Sequence, residues 1–187
     1  AEAGVAQTVC SSSPAVNLSG AVTIAGGGFW SGGSGAFSPN AADLNATYTP
    51  SAAEISAGSV QLMLTTTGNG NCNPVSDSVM ITITPTPTVN AGPNLTSCAN
   101  NSAVNLGGVI TTATGGIWSG GTGNFVSSNT DLNAVYTPSN AEVTAGSVNL
   151  TLTSTGNGNC PAVTDDVLIT IIPAPIADAG IDQTVCS

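Results

Sequence analysis

The chain of 187 residues contains no lysine, no arginine and no histidine. Side-chain salt bridges are therefore excluded, and stability must come from packing, hydrogen bonds and covalent links. Phosphate backbones are bound by cations that displace counterions, so nucleic acid is excluded as a partner, and anionic lipid gains nothing here either. Without histidine there is no Ser-His-Asp triad. Without lysine there is no Schiff base and no isopeptide cross-link. Charged residues make up only 5% of the chain, against about 25% in an average soluble protein. Aromatic residues make up 4%, with two tryptophans in all. No apolar run approaches the roughly 18 residues of a membrane span, so no membrane insertion is expected. The sequence has no initiator methionine and no basic leader, and reads as a mature fragment or an excerpt of something longer.

What is present is acidic, apolar and β-rich. All ten charges are carboxylates, giving a net charge of −10, and hydrophobic residues reach 41%. Valine, isoleucine and threonine abound, unlike in disordered chains. The net charge keeps long molecules soluble and apart.

The sequence repeats itself with a period of 88 residues and no gap. Cys10 falls on Cys98 and Cys98 on Cys186; Trp30 falls on Trp118, Phe37 on Phe125, Tyr48 on Tyr136 and Cys72 on Cys160. DLNATYTPSAAEISAGSV recurs as DLNAVYTPSNAEVTAGSV, and TGNGNC occurs twice unchanged. The period is that of a small β-sandwich domain rather than a solenoid turn. Three segments follow: residues 1–85 as a first repeat, 86–173 as a second, and 174–187 as the first strand of a truncated third. The linkers TPTPT and IPAPI carry alternating prolines, which make extended, semi-rigid spacers suited to end-to-end stacking.

Within each copy the pattern has the period of two that marks strands. In SVQLMLT, Val60, Leu62 and Leu64 face one way and Gln61 and Met63 the other. SVMITIT repeats the pattern with Val79, Ile81 and Ile83. About seven strands per copy are expected, and one helical turn at SAAEIS. The glycine-rich GGGFWSGGSGAFS is read as a hairpin that buries its tryptophan, since burial removes a large apolar area from water. A phosphate cradle would need a lysine and a helix, and a sugar platform would need an exposed Trp30. Trp30, Phe37, Tyr48 and their counterparts Trp118, Phe125 and Tyr136 are the expected core anchors.

Each complete copy has two cysteines 62 residues apart, with Cys186 left over. Buried free thiols and a metal site are alternatives, the latter weakened by the lack of histidine. The favoured reading is one disulfide within each copy, Cys10–Cys72 and Cys98–Cys160, with Cys186 pairing outside this segment. In a Greek-key sandwich those positions lie towards opposite ends, so the bridge requires a short or kinked first strand, and the Ala-Gly pairs at 3–4 and 91–92 would supply the kink.

The carboxylates offer two chemistries. A glycosidase pair is set aside because Asp43, Glu54 and Asp77 recur in the second copy, as structural residues do; Glu54 and Asp77 are read as turn or strand-edge groups. No enzyme is expected. Calcium takes oxygen ligands, and Glu2, Asn90 and Asp178 form the first place to look; the bland reading is solvated acids and no cofactor.

The ordered pattern AG-x-x-x-T-x-C, V-x-L-x-G, GG-x-WSG-x-x-G-x-F, Y-T-P-S-x-x-E-x-x-AG-x-V-x-L-x-L-T, G-N-G-x-C and V-x-I-T-I resembles the Ig-like (PKD-like) repeats of very large Bacteroidetes surface proteins. Those proteins typically end in a gliding-motility-associated sorting domain and are secreted by the type IX route. The resemblance implies an all-β chain of tandem Ig-like Greek-key sandwiches in an extracellular or cell-surface filament, adhesin or stalk. Partners would be neighbouring repeats and other copies in a fibre. Two other functions stay open: an adhesin module binding glycans or surfaces, and an ice-binding surface, which would need a flat threonine ladder.

Overall fold

The computed structural model describes residues 1–182 and is nearly all β. Alternation of apolar and polar residues builds its long strands, and turn residues separate them. The first copy contains β1 (Gln7–Cys10), β2 (Val16–Asn17), β3 (Gly27–Ser31), β4 (Ala36–Ser38), β5 (Thr47–Thr49), the helix α1 (Ala52–Ala57), β6 (Ser59–Thr67) and β7 (Ser76–Thr84). One sheet has the order β1-β7-β6-β3 and the other β2-β5-β4. This is an Ig-like Greek-key sandwich. All pairings are antiparallel except that of β1 with β7, which places Cys10 opposite Thr84 at the far end of β7.

The second copy follows with β8 (Thr88–Asn90), β9 (Leu95–Cys98), β10 (Val104–Asn105), β11 (Val109–Thr111), β12 (Gly115–Ser119), β13 (Asn124–Val126), β14 (Val135–Thr137), α2 (Asn140–Ala145), β15 (Ser147–Thr155) and β16 (Thr164–Ile172). Its sheets β12-β15-β16-β9 and β10-β14-β13 reproduce the first copy, with β8 and β11 as an added ribbon. β9 runs parallel to β16, with Cys98 opposite Ile172.

Each copy encloses its own core. In the first, Trp30, Tyr48, Leu62, Leu64 and Ile81 are wholly buried, with Val60, Val79 and Ile83 beside them. In the second, Trp118, Tyr136, Leu150, Leu152 and Ile169 take those places. Phe37 and Phe125 are half-buried lids, each with its ring centroid 4.8 Å from that of the adjacent tyrosine. Burial of such side chains contributes about 1.5–3 kcal/mol each.

The chain divides into two compact units whose limits do not follow the sequence repeat. The first comprises residues 1–88 together with 111–114 and 156–162, and the second comprises the rest. The loop that carries Cys160 thus clusters with the first copy. Residues 173–182 form no strand, and the first strand of a third copy, with Cys186, would lie outside the described residues.

Candidate functional site

The glycine loop closes over a buried polar pair. After Trp30 the chain turns at Gly32 and Gly33, both with positive φ. The indole N–H of Trp30 donates to the Leu44 carbonyl at 3.2 Å, so the ring's single polar group is met inside the core. Beneath the turn, the Tyr48 hydroxyl donates to both carboxylate oxygens of Glu54 at 2.9 Å. The backbone N–H groups of Ser34 and Ser51 donate to the same carboxylate at 2.6 and 2.7 Å. Gly35 N–H donates to the Tyr48 oxygen at 2.9 Å. A Cβ on Gly33 would collide with the Tyr48 hydroxyl, so glycine is required there by both conformation and space.

Glu54 is therefore not the turn or strand-edge acid expected from sequence. It is 9% exposed and sits in α1, where Ser51 and Glu54 form a reciprocal capping box. The S-x-x-E spacing in SAAE, repeated as SNAE, is the sequence signal for it. Burial pushes the Glu54 carboxyl up, but the N–H groups of Ser51 and Ser34 and the hydroxyls of Tyr48 and Ser51 outweigh it and hold the group below the usual carboxylate range. Tyr48 is pushed up to about 12 by burial first, with the Glu54 hydrogen bond and charge adding to it and Gly35 N–H opposing. Tyr136 and Glu142 repeat the arrangement. A carboxylate saturated with donors under a closed turn is a structural lock; it presents no free lone pair to a substrate.

The other carboxylates also serve the backbone. Asp77 lies within β7, not in a turn, and accepts from Ala3 N–H at 2.7 Å, which ties the N-terminal segment to the sheet. Asp165 does the same for Ala91 at 2.8 Å. Asp43 and Asp131 accept from the N–H two residues on. At the positions considered for calcium, Glu2 lies in a backbone bridge with Ala21, while Asn90 and Asp178 each turn back onto an N–H two residues ahead. Among the described residues no three cysteine, aspartate or glutamate side chains gather around a common point.

The cysteines pair differently from the expectation. Cys10 is bonded to Cys160, with their Cα atoms 4.9 Å apart and a sequence separation of 150. Cys72 and Cys98 are free. The reason is the parallel pairing of β1 with β7. Cys10 lies at the end of β7, whereas Cys72 lies in the loop before its start. The nine residues of β7 separate the two by roughly 26 Å at strand rise, far beyond a disulfide's Cα span. The Ala-Gly pair does not shorten that path. Cys98 and Cys160 are held apart by β16 in the same way.

The residue that meets Cys10 comes from the next copy. In the 156–162 loop, Cys160 Sγ lies 3.5 Å from the Pro85 carbonyl oxygen. Neighbouring Asn159 donates from Nδ2 to the Thr8 carbonyl at 2.8 Å, on the open side of edge strand β1. Both cysteines are buried. The bond thus joins residues from successive copies of the sequence repeat within one compact unit, with an amide side chain seated on the strand edge beside it.

No protein-family model matches the sequence, and no curated protein sequence does. Solved structures match in fold. Domains EC1–4 of Drosophila N-cadherin align over 92% of this chain and 48% of that one, at 9% identity and a TM-score of 0.54. Extracellular cadherin domains 3–6 of protocadherin gamma B2 cover 92% and 46%, at 13% identity and 0.46. Immunoglobulin domains 1–5 of Sidekick-1 cover 91% and 38%, at 12% identity and 0.49. The chain spans about half or less of the length of these structures. Among the described residues no helix is long and apolar enough to cross a membrane.

Proposed function

We propose that the chain is a load-bearing segment of an extracellular or cell-surface fibre or stalk, in which successive Ig-like repeats are tied to one another by disulfides. The observation that carries this reading is the Cys10–Cys160 bond between residues of consecutive copies. Disulfides persist in oxidising compartments, which supports a location outside the cytosol. What the clamp adds is resistance to extension. Consecutive domains of like fold occur in N-cadherin EC1–4. The resemblance to repeats of giant Bacteroidetes surface proteins supports a filament or adhesin secreted as a long array. The chain itself carries out no reaction in this reading, and its partners are neighbouring repeats and other copies. Glycan binding through tryptophan is disfavoured, because Trp30 and Trp118 are both fully buried. An ice-binding face is disfavoured because the outward positions Gln61, Met63 and Thr65 form no threonine ladder.

Single-molecule extension tests the reading. The bond withholds the 150 residues it encloses, equivalent to roughly 500 Å of contour at full extension. Reduction should release that length in the same molecule. Equal contour lengths before and after reduction would remove the load-bearing role.

A further inference from the structure

Cys72 and Cys98 occupy, one repeat out of step, the two positions that Cys160 and Cys10 fill. Cys98 stands at the end of its edge strand opposite Ile172, as Cys10 stands opposite Thr84. Its backbone is held in the same way: Asn101 N–H donates to the Cys98 carbonyl at 2.8 Å, as Ser13 N–H does to that of Cys10 at 3.0 Å, and Ala99 N–H to Ile172 as Ser11 N–H to Thr84. The surroundings differ: Cys10 Sγ lies 3.2 Å from Ser12 Oγ and the Ser11 and Thr86 hydroxyls are hydrogen-bonded at 2.9 Å, where the second copy has Asn100, Ala99 and Ala174. Cys10 is 4% exposed beneath its partner loop, whereas Cys98 is half-buried and free.

The loop end shows the complementary contrast. In the second copy, residues 111–114 and 156–162 cluster with the first copy, and Cys160 is 8% exposed. Their first-copy counterparts, residues 23–26 and 68–74, instead line an open cavity of about 330 Å³ with Ile24, Ala25, Asn69, Cys72 and Val75 on its wall. Ile24 and Val75 are exposed there, and the Cys72 thiol is exposed and free.

We propose that Cys98 and Cys72 are the two open halves of the same clamp, each built to bond a further repeat of this type: Cys98 to the cysteine of a following repeat's G-N-G-x-C loop, and Cys72 to the first-strand cysteine of a preceding one. The inference rests on the reading of the chain as a tandem array. The result is a continuous staggered series of disulfides, each spanning one repeat boundary. Formation of each bond removes two thiol protons and two electrons. A disulfide oxidant, protein-borne or glutathione disulfide, accepts both electrons. The Cys98 thiolate first attacks it to give a mixed disulfide and one released thiol. The partner thiolate then displaces the second thiol from Cys98 Sγ.

The test compares the chain with an extended chain in which residues 86–173 are repeated once in tandem after residue 173. The added copy is marked by Pro161→Asn, the residue that the first copy carries there as Asn73, and has its own Cys98 replaced by serine; both chains carry Cys186→Ser. Both are refolded in a glutathione redox buffer, alkylated and mapped without reduction. In the unextended chain, Cys72 and Cys98 should be alkylated and Cys10 linked to Cys160. In the extended chain, Cys98 should lose its alkylation and appear joined to the marked loop peptide. Replacing the added copy's Cys160 by serine should restore alkylation at Cys98. Alkylation of Cys98 in both chains, or its linkage to Cys160 of its own repeat, overturns the proposal while leaving the tandem reading intact. Absence of the Cys10–Cys160 bond from the unextended chain overturns both.

Discussion

Cys10 ends an edge strand and Cys160 sits 150 residues later in a loop of the next copy, yet their Cα atoms are 4.9 Å apart and their sulfurs are bonded. The two cysteines nearest in repeat register, Cys72 and Cys98, remain free. The bond therefore joins segments from two copies of the sequence repeat, and among the described residues no disulfide links two cysteines of the same copy.

Closing a loop of 150 residues constrains the unfolded chain by about 5 kcal/mol on the chain-entropy estimate. The double substitution Cys10→Ala, Cys160→Ala should lower the denaturation midpoint by a corresponding amount. Cys72→Ala, at an exposed thiol, should stay within about 0.5 kcal/mol of the parent. Urea unfolding followed by tryptophan fluorescence reads both. Equal losses from the two variants would contradict the pairing.

Tyr48→Phe removes the hydroxyl that donates to both oxygens of the buried Glu54. Hydrogen bonds to charged groups contribute about 1.5–3 kcal/mol, and a loss of that size is expected in the first copy's unfolding. Tyr136→Phe should do the same for the second copy through Glu142. Calorimetry on the two single variants and the double would show near-additive effects, because each pair belongs to its own core.

Gly33→Ala and Gly70→Ala separate steric from conformational cost. Both glycines have positive φ, at 70° and 61°. A Cβ at Gly70 meets nothing within 4 Å, whereas one at Gly33 strikes the Tyr48 hydroxyl. Gly70→Ala should cost about 1 kcal/mol, the left-handed penalty alone. Gly33→Ala adds an overpacking penalty and should cost roughly 3 kcal/mol. Similar midpoints for the two variants in thermal unfolding would contradict the close packing of the turn.

The pH profile of stability should be a plateau with two edges. Glu54 and Glu142 are held below the ordinary carboxylate value in the folded chain. Their contribution is complete above the unfolded value of about 4.5 and is lost as pH falls through the folded one, because the unfolded chain then binds more protons. Tyr48 and Tyr136 are raised from 10.0 to about 12. The folded chain keeps those protons while the unfolded chain loses them, so stability falls as pH rises from 10 towards 12. No lysine, arginine or histidine titrates between the edges. Circular-dichroism melts across this range check the shape. Tyr48→Phe combined with Tyr136→Phe should remove the tyrosine part of the alkaline edge.

Much of the fold could be read from local pattern. The alternation in SVQLMLT places Val60, Leu62 and Leu64 on one face because successive side chains in a strand point to opposite sides, and β6 buries those three. The glycines around Trp30 mark a turn because few other residues tolerate its backbone angles. Glu54 was legible only in part. The spacing Ser51 to Glu54 signals a capped helix, but nothing local tells that Tyr48 and the Gly33 turn fold over the carboxylate.

The sequence by itself determined the repeat, its strands and the acids and aromatics that recur with it, since each follows from a short-range rule of pleat, turn or cap. Tertiary structure alone decided which cysteines meet. The parallel pairing of β1 with β7 carries Cys10 to the end of the sandwich opposite Cys72, and the loop that arrives there comes, in sequence, from the following copy although it clusters with the first. Equal spacing of cysteines within two copies is compatible with a bond inside each copy or a bond between them. Only the direction of one short edge strand distinguishes the two, because strand length sets a distance that a disulfide cannot span.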